Sequence, residues 1–277
     1  AGYYPPKTLE CFLTTDEDGK ESQIFKDKNG RIILQTSGGD VNTYHVYNSL
    51  GQPCYILPPM ISDVLSAGEV SDDHVLLKQY AFIYKFDDLG NCIYKRLPGC
   101  EPIYTVYDKA GQLVFSQDGN QRKKHLWTAS NYDIFGRLIY MGQYEAEMSL
   151  EEAIMEFGNS PVTDSFITTN ASFNLQSDKM LTVNYYDDYR FLELLPPAQR
   201  DSLSYKQKEG YGTAFTSNGS SSGSKPNAKG LLTGTRTYLL DGSGKYTIQA
   251  FYYDEKDNII QTRQSNHLGG IQRHTTE

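Results

Sequence analysis

The chain has little of what metal, redox or membrane chemistry requires. Among its 277 residues are four Cys (Cys11, Cys54, Cys92 and Cys100), five His and one Trp. No two Cys stand as Cys-x-x-Cys, so the common zinc and thiol-redox spacings are absent. Free thiols serving as small core residues are the simpler reading, and the pairing state and compartment stay open. No apolar run reaches the roughly 18 residues that a bilayer-spanning helix needs. Lys and Arg number 26 against 34 Asp and Glu, a net charge of −8. A nucleic-acid surface would call for a basic patch. The one basic cluster, Arg122-Lys123-Lys124-His125, reads as a solvated turn. Phosphate loops, dinucleotide fingerprints and nucleophile motifs are missing. No cofactor, metal site or nucleic-acid partner is predicted.

What the chain has in quantity is Tyr, 22 residues against 12 Phe, and a recurring spacing of Asp and Gly. The clearest copies are Tyr107-Asp108-Lys109-Ala110-Gly111 and Tyr132-Asp133-Ile134-Phe135-Gly136. Asp87 with Gly90, Asn48 with Gly51, Asp27 with Gly30, Asp16 with Gly19 and Asp241 with Gly244 fit the template. Tyr253-Asp254 carries Asp257 in the Gly slot, and Tyr186-Asp187-Asp188 is a worn copy. Gly30 to Gly51 and Gly90 to Gly111 are each 21 residues apart, and Gly111 to Gly136 is 25. A unit of that length repeated along a chain implies an array. Asp or Asn opening a type I turn bonds its own downstream backbone, and Gly closes the turn in a left-handed conformation. That is a common hairpin corner with a bulge. The flanks, such as Tyr104-Thr105-Val106 and Leu113-Val114-Phe115, are β-branched and aromatic, as strands are.

The pattern predicts an all-β fold of side-by-side antiparallel hairpins in a curled or spiralling repeat sheet, with one short helical insertion. Hairpin repeats are expected over residues 1–60 and the best-kept copies over 61–142, with Val75–Ile83 as strand. An insertion spans 143–180. Its helix is placed near 149–158, because Ser149 and Glu152 form a capping-box pattern and Leu150, Ile154 and Phe157 share a face. Further repeats occupy 181–277 around a flexible Ser/Gly-rich loop near 196–230. All of these segments are also compatible with one continuous domain.

Three other readings arise at individual residues. Asp16-Glu17-Asp18-Gly19 has a calcium-like look but lacks the rest of an EF-hand frame. Asp72-Asp73-His74 offers metal ligands, although a surface loop explains it as well. The pairs Asp87-Asp88 and Asp187-Asp188 offer the two carboxylates that a glycosidase uses, and the turn motif accounts for both.

At Tyr107–Phe115 and Tyr132–Tyr140 the chain resembles the RHS/YD-repeat family, whose motif is Tyr-Asp, two variable residues, Gly, a polar residue and an apolar strand. Lys229–Thr235, and Gln264–Gly270 after Tyr253-Asp254, resemble its Bacteroidetes branch. The resemblance implies a non-catalytic segment of a large secreted or cell-surface protein, part of a shell or adhesive scaffold. A start at Ala1 without Met and an end at Glu277 just after a repeat read as an excised or processed N-terminal-side piece, whose main partner is the rest of its own longer polypeptide. A glycan or a cell surface is a further candidate partner. The rival functions are a carbohydrate-binding module on a Tyr-rich face and, behind it, a glycoside hydrolase.

Overall fold

The structure is a computed structural model, and it describes residues 4–5, 7–38, 41–62, 71–158, 175, 179–207, 228–265 and 271–275. The Ser/Gly-rich run 217–224 and most of the 143–180 insertion beyond 158 lie outside them. Sixteen strands occur among the described residues, and their order is the sequence order, without a crossover. The pairings are antiparallel, as at β1–β2, β6–β7 and β13–β14, so the fold is one of side-by-side hairpins. Packing divides the chain into two compact units. The first holds Ala1–Tyr107, Ser116–His125 and Met148–Met155; the second holds Asp108–Phe115, Leu126–Glu147 and Glu156–Glu277.

In the first unit the strands are β1 (Glu10–Thr15), β2 (Glu21–Lys26), β3 (Ile32–Ser37), β4 (Val41–Tyr47), β5 (Pro53–Leu57), β6 (Phe82–Phe86), β7 (Cys92–Arg96) and β8 (Ile103–Tyr107). Between β5 and β6 come two short helices, α1 (Pro59–Ser62) and α2 (Val75–Tyr80). The expected strand over Val75–Ile83 is therefore corrected: only Phe82 and Ile83 belong to one. His74 caps α2, its Nδ1 accepting from the Leu76 amide at 3.3 Å, and Leu77 turns inward. Ile61, Leu77, Ala81 and Ile83 form a buried cluster, with Tyr55, Leu57 and Tyr94 packed on it. This burial overrides the strand preference of the Val-Leu-Leu run.

The second unit carries β10 (Leu126–Tyr132), β11 (Leu138–Glu145), β12 (Met180–Asp187), β13 (Ala228–Tyr238), β14 (Tyr246–Tyr253), β15 (Ile259–Ser265) and β16 (Ile271–Thr275). Strand β9 (Leu113–Gln117) is divided between the two units. Three further helices, α3 (Gly119–Arg122) in the first unit, α4 (Leu150–Phe157), divided between the units, and α5 (Pro197–Leu203) in the second, bring the described α-helices to five rather than one. Ser149 and Glu152 make the reciprocal bonds of a capping box on α4, at 2.7 and 3.2 Å. Phe157 at its end stacks on Phe115 at 4.3 Å, and Tyr144 meets both rings edge-on.

After β12 the chain leaves the sheet at Asp187 and rejoins it opposite, at Ala228. The described start of this detour, through α5 to Tyr205, is fastened to the sheet by rings and hydrogen bonds. Phe191 stacks on Tyr185 at 4.5 Å and Tyr189 on Tyr252 at 4.8 Å. Gly234 makes room for this, since a Cβ there would lie 2.5 Å from the Phe191 ring. The Tyr252 hydroxyl donates to the Leu203 carbonyl (2.8 Å), Arg263 Nε to that of Ser202 (2.7 Å), and Gln261 exchanges two bonds with the Lys206 backbone. No helix among the described residues is long and apolar enough to cross a membrane.

Candidate functional site: the Asp-Gly corners

Seven corners share one set of bonds. They open at Asp16, Asp27, Asn48, Asp87, Asp108, Asp133 and Asp254. In each, the opening amide donates to the carbonyl four residues on, at 2.9–3.0 Å, and the amide of the Gly-slot residue donates back to the opening carbonyl. The opening Oδ1 accepts two more amides, two and four residues on. For Asp108 these come from Ala110 (2.9 Å) and Gln112 (2.8 Å). Gly30, Gly51, Gly90, Gly111 and Gly136 all sit in the left-handed region, with φ from +76° to +89°. Asp257 fills the same slot at φ +63°, a conformation that Asp tolerates better than most L-residues. The bulge lies at the last residue before the turn, as at Asn131/Tyr132 and Tyr252/Tyr253.

Two other proposed corners differ. Around Asp241 and Gly244 the closing bond runs from the Leu239 amide to the Lys245 carbonyl, so the loop is wider. Asp187 takes φ +72° and begins the detour rather than a hairpin.

The Tyr that precedes a corner has a task the repeat pattern did not reveal. Tyr47 donates its hydroxyl to the Ile32 carbonyl (2.9 Å), Tyr132 to Leu113 (3.1 Å), Tyr186 to Leu138 (3.2 Å) and Tyr253 to Leu232 (2.6 Å). Each acceptor is the second residue after a left-handed Gly: Gly30, Gly111, Gly136 or Gly230. The hydroxyl thus ties each hairpin to the one before it. At Phe86 the slot lacks a hydroxyl. The carbonyl of Cys92, two after Gly90, takes Thr105 Oγ1 instead of Tyr107. The preference for Tyr over Phe before Asp was the available signal.

The residue after the Gly makes a second tie. Arg31 bonds Asp27 Oδ2 in its own corner (2.7 Å) and lies 5.1 Å over the ring of Tyr47. Arg137 does the same with Asp133 (2.6 Å) and with Tyr186, 4.4 Å away, and also forks onto Asp187 at 3.0 and 2.8 Å. Gln52 Nε2 reaches the Gly90 carbonyl at 3.5 Å. A Cβ on Gly136 would stand 3.1 Å from Gln112 Nε2. The hydrogen bond from Arg31 holds the Asp27 carboxyl below its ordinary 3.8, and Arg137 does so for Asp187.

These bonds engage Oδ1 of every opening residue with two backbone amides, and at Asp27 and Asp133 a guanidinium takes Oδ2 as well. The other candidates also disperse. Asp72 accepts from the Tyr55 hydroxyl and from Lys85, Asp73 pairs with Lys78, and His74 caps α2. His45 is half-buried in β4, and burial lowers its pKa. Asp188 pairs with Arg190, away from the bonds that Asp187 makes. Among the described residues no three His, Cys, Asp or Glu side chains gather as a metal site would need.

No protein-family model matches the chain, and no curated protein does. Among solved structures it is similar to a crystal structure of TcdB2-TccC3-TEV, at 12% identity and TM-score 0.39, with 92% of this chain and 12% of that one covered. It is also similar to the Photorhabdus luminescens Tc holotoxin pore with a substituted TccC3, at 13% identity and TM-score 0.40, with 94% and 12% covered. A third is the crystal structure of TcdB2-TccC3-Cdc42, at 12% and 0.37, with 96% and 15% covered. The chain therefore spans 12–15% of the length of these three. At such scores the likeness carries no inference about function.

Proposed function

We propose that the chain is a non-catalytic structural segment of a larger secreted or cell-surface polypeptide, a length of wall that encloses or presents another part of that protein. The observation that supports this reading best is the repeated tie between neighbouring hairpins. The same two slots, the Tyr before the corner and the residue after its Gly, are used to join one hairpin to the next. Side chains committed in this way build a surface, and the corner carboxylates are spent on backbone bonds. The sequence resemblance to the RHS/YD-repeat family points in the same direction.

Two experiments test the reading. The purified chain, assayed against chromogenic glycosides, esters and peptides, is expected to give no turnover. Turnover abolished by Asp87→Asn would overturn it. In the native cells, the polypeptide is expected in the medium or open to protease on intact cells; a purely intracellular pool would overturn the localisation.

A further inference from the structure

One arginine of the second unit, Arg236, sits among tyrosine rings. Arg31, Arg122, Arg137, Arg190 and Arg200 each lie within ion-pair distance of a carboxylate. Arg236, on β13, has no carboxylate partner among the described residues; its neighbours are three tyrosines. Its guanidinium carbon is 4.4 Å from the ring centre of Tyr246 and 5.8 Å from that of Tyr185. Nη1 donates to the Tyr238 hydroxyl across a long 3.4 Å, and Nε is buried with no acceptor.

Strand register explains the assembly. Arg236 faces Val183 on β12 and Ile248 on β14, while Tyr238, two residues on, faces Tyr246. All five therefore share one side of the sheet. The rings of Tyr238 and Tyr246 stand 5.6 Å apart, tilted by 56°. Tyr185 is buried, as are Val183 and Ile248 beside it, whereas Arg236, Tyr238 and Tyr246 are each half-buried. A guanidinium drawn partly out of water without a counter-charge is costly, and ring faces repay only part of that.

From this frame we infer a binding site for a single carboxylate carried on a sugar ring, that is, a uronic acid. Guanidinium geometry fits a carboxylate through two parallel bonds. Three phenol rings around one cation supply a flat apolar wall with hydroxyls at its rim, which suits the ring of a sugar better than the short stem of Asp or Glu. The inference goes beyond the wall described above and does not depend on it.

The test is a titration of the whole chain, followed by ligand-observed NMR, with D-glucuronate, D-glucose, acetate and the peptide Gly-Asp-Gly. Glucuronate is expected to bind in preference to the other three. Arg236→Gln should weaken it about tenfold to a hundredfold, the scale of a lost charged hydrogen bond. Arg236→Lys keeps the charge without the fork and should also bind more weakly, which keeps the test decisive if the Gln variant folds poorly. Acetate binding as well as glucuronate would overturn the sugar assignment, and preference for the peptide would replace it with an acidic chain. Undetectable glucuronate binding, or equal binding by wild type and both variants, would overturn the site itself.

Discussion

Replacing Tyr253 with Phe removes one oxygen and leaves the ring in place. In the folded chain that oxygen donates to the Leu232 carbonyl at 2.6 Å, the shortest of the four hairpin-to-hairpin ties. The Tyr253 ring is 8% exposed, so water has poor access to the abandoned carbonyl. A hydrogen bond in this setting contributes about 1 kcal/mol net, and an orphaned acceptor raises the loss to about 1–2 kcal/mol. For a unit of this size each kcal/mol lowers the melting midpoint by about 2–4 °C. Thermal unfolding followed by circular dichroism should therefore show Tyr253→Phe melting about 2–8 °C below wild type. Tyr107→Phe is the matched control: the equivalent carbonyl, that of Cys92, is already taken by Thr105. Its midpoint should move by less than about 1 °C. Tyr186 is a poorer probe, because Asn184 also donates to the Leu138 carbonyl. Equal shifts for the Tyr253 and Tyr107 variants would refute the idea that the hydroxyl before the corner is what joins the hairpins.

Four more outcomes are expected from thermal melts. Gly234→Ala should cost about 2–3 kcal/mol, because its Cβ would meet the Phe191 ring at 2.5 Å and the Gln249 carbonyl at 3.0 Å; a near-neutral variant would mean that Phe191 does not hold this position. Gly30→Ala meets open space and should lose about 1 kcal/mol from its left-handed backbone alone. Asp257→Gly should stabilise by about 0.5–1 kcal/mol, since it relieves a positive φ; destabilisation would point to an unrecognised role for that carboxylate. Asp187 is held below its ordinary 3.8 by Arg137, so the stability it lends is present above the unfolded value and is lost as pH falls through the depressed folded one. Wild type should thus out-melt Arg137→Gln at neutral pH, with the gap narrowing below about pH 4. A gap independent of pH would remove the ion pair as its cause.

The hairpins are legible in the sequence because a corner is local chemistry. Asp108 and Gly111 lie within one turn, and the bonds between them need nothing from elsewhere. The ties between hairpins are hidden for the opposite reason. Tyr132 donates to a backbone carbonyl at Leu113, and a carbonyl leaves no mark in a sequence. Helix α2 is hidden in the sequence because Val75-Leu76-Leu77 has the composition of a strand, and what decides its form is burial against Ile61 and Ile83. Asp187 follows Tyr186 as Asp108 follows Tyr107, so the dipeptide alone could not show that one chain turns back while the other departs on a detour. Arg236 and Tyr238, two apart on β13, share a side by the alternation of a strand. The third and fourth members of that frame, Tyr246 and Tyr185, came from register.

The detour carries a consequence for how such a protein can change. Strand β13 resumes pairing with β12 opposite the residue where the chain left, so lengthening the path between them disturbs no rung of the ladder, and loop-closure entropy grows only slowly with its length. This is a splice point. Foreign sequence could be grafted there and carried by the scaffold as a passenger, with novelty added in one place while the surrounding masonry stays as it was.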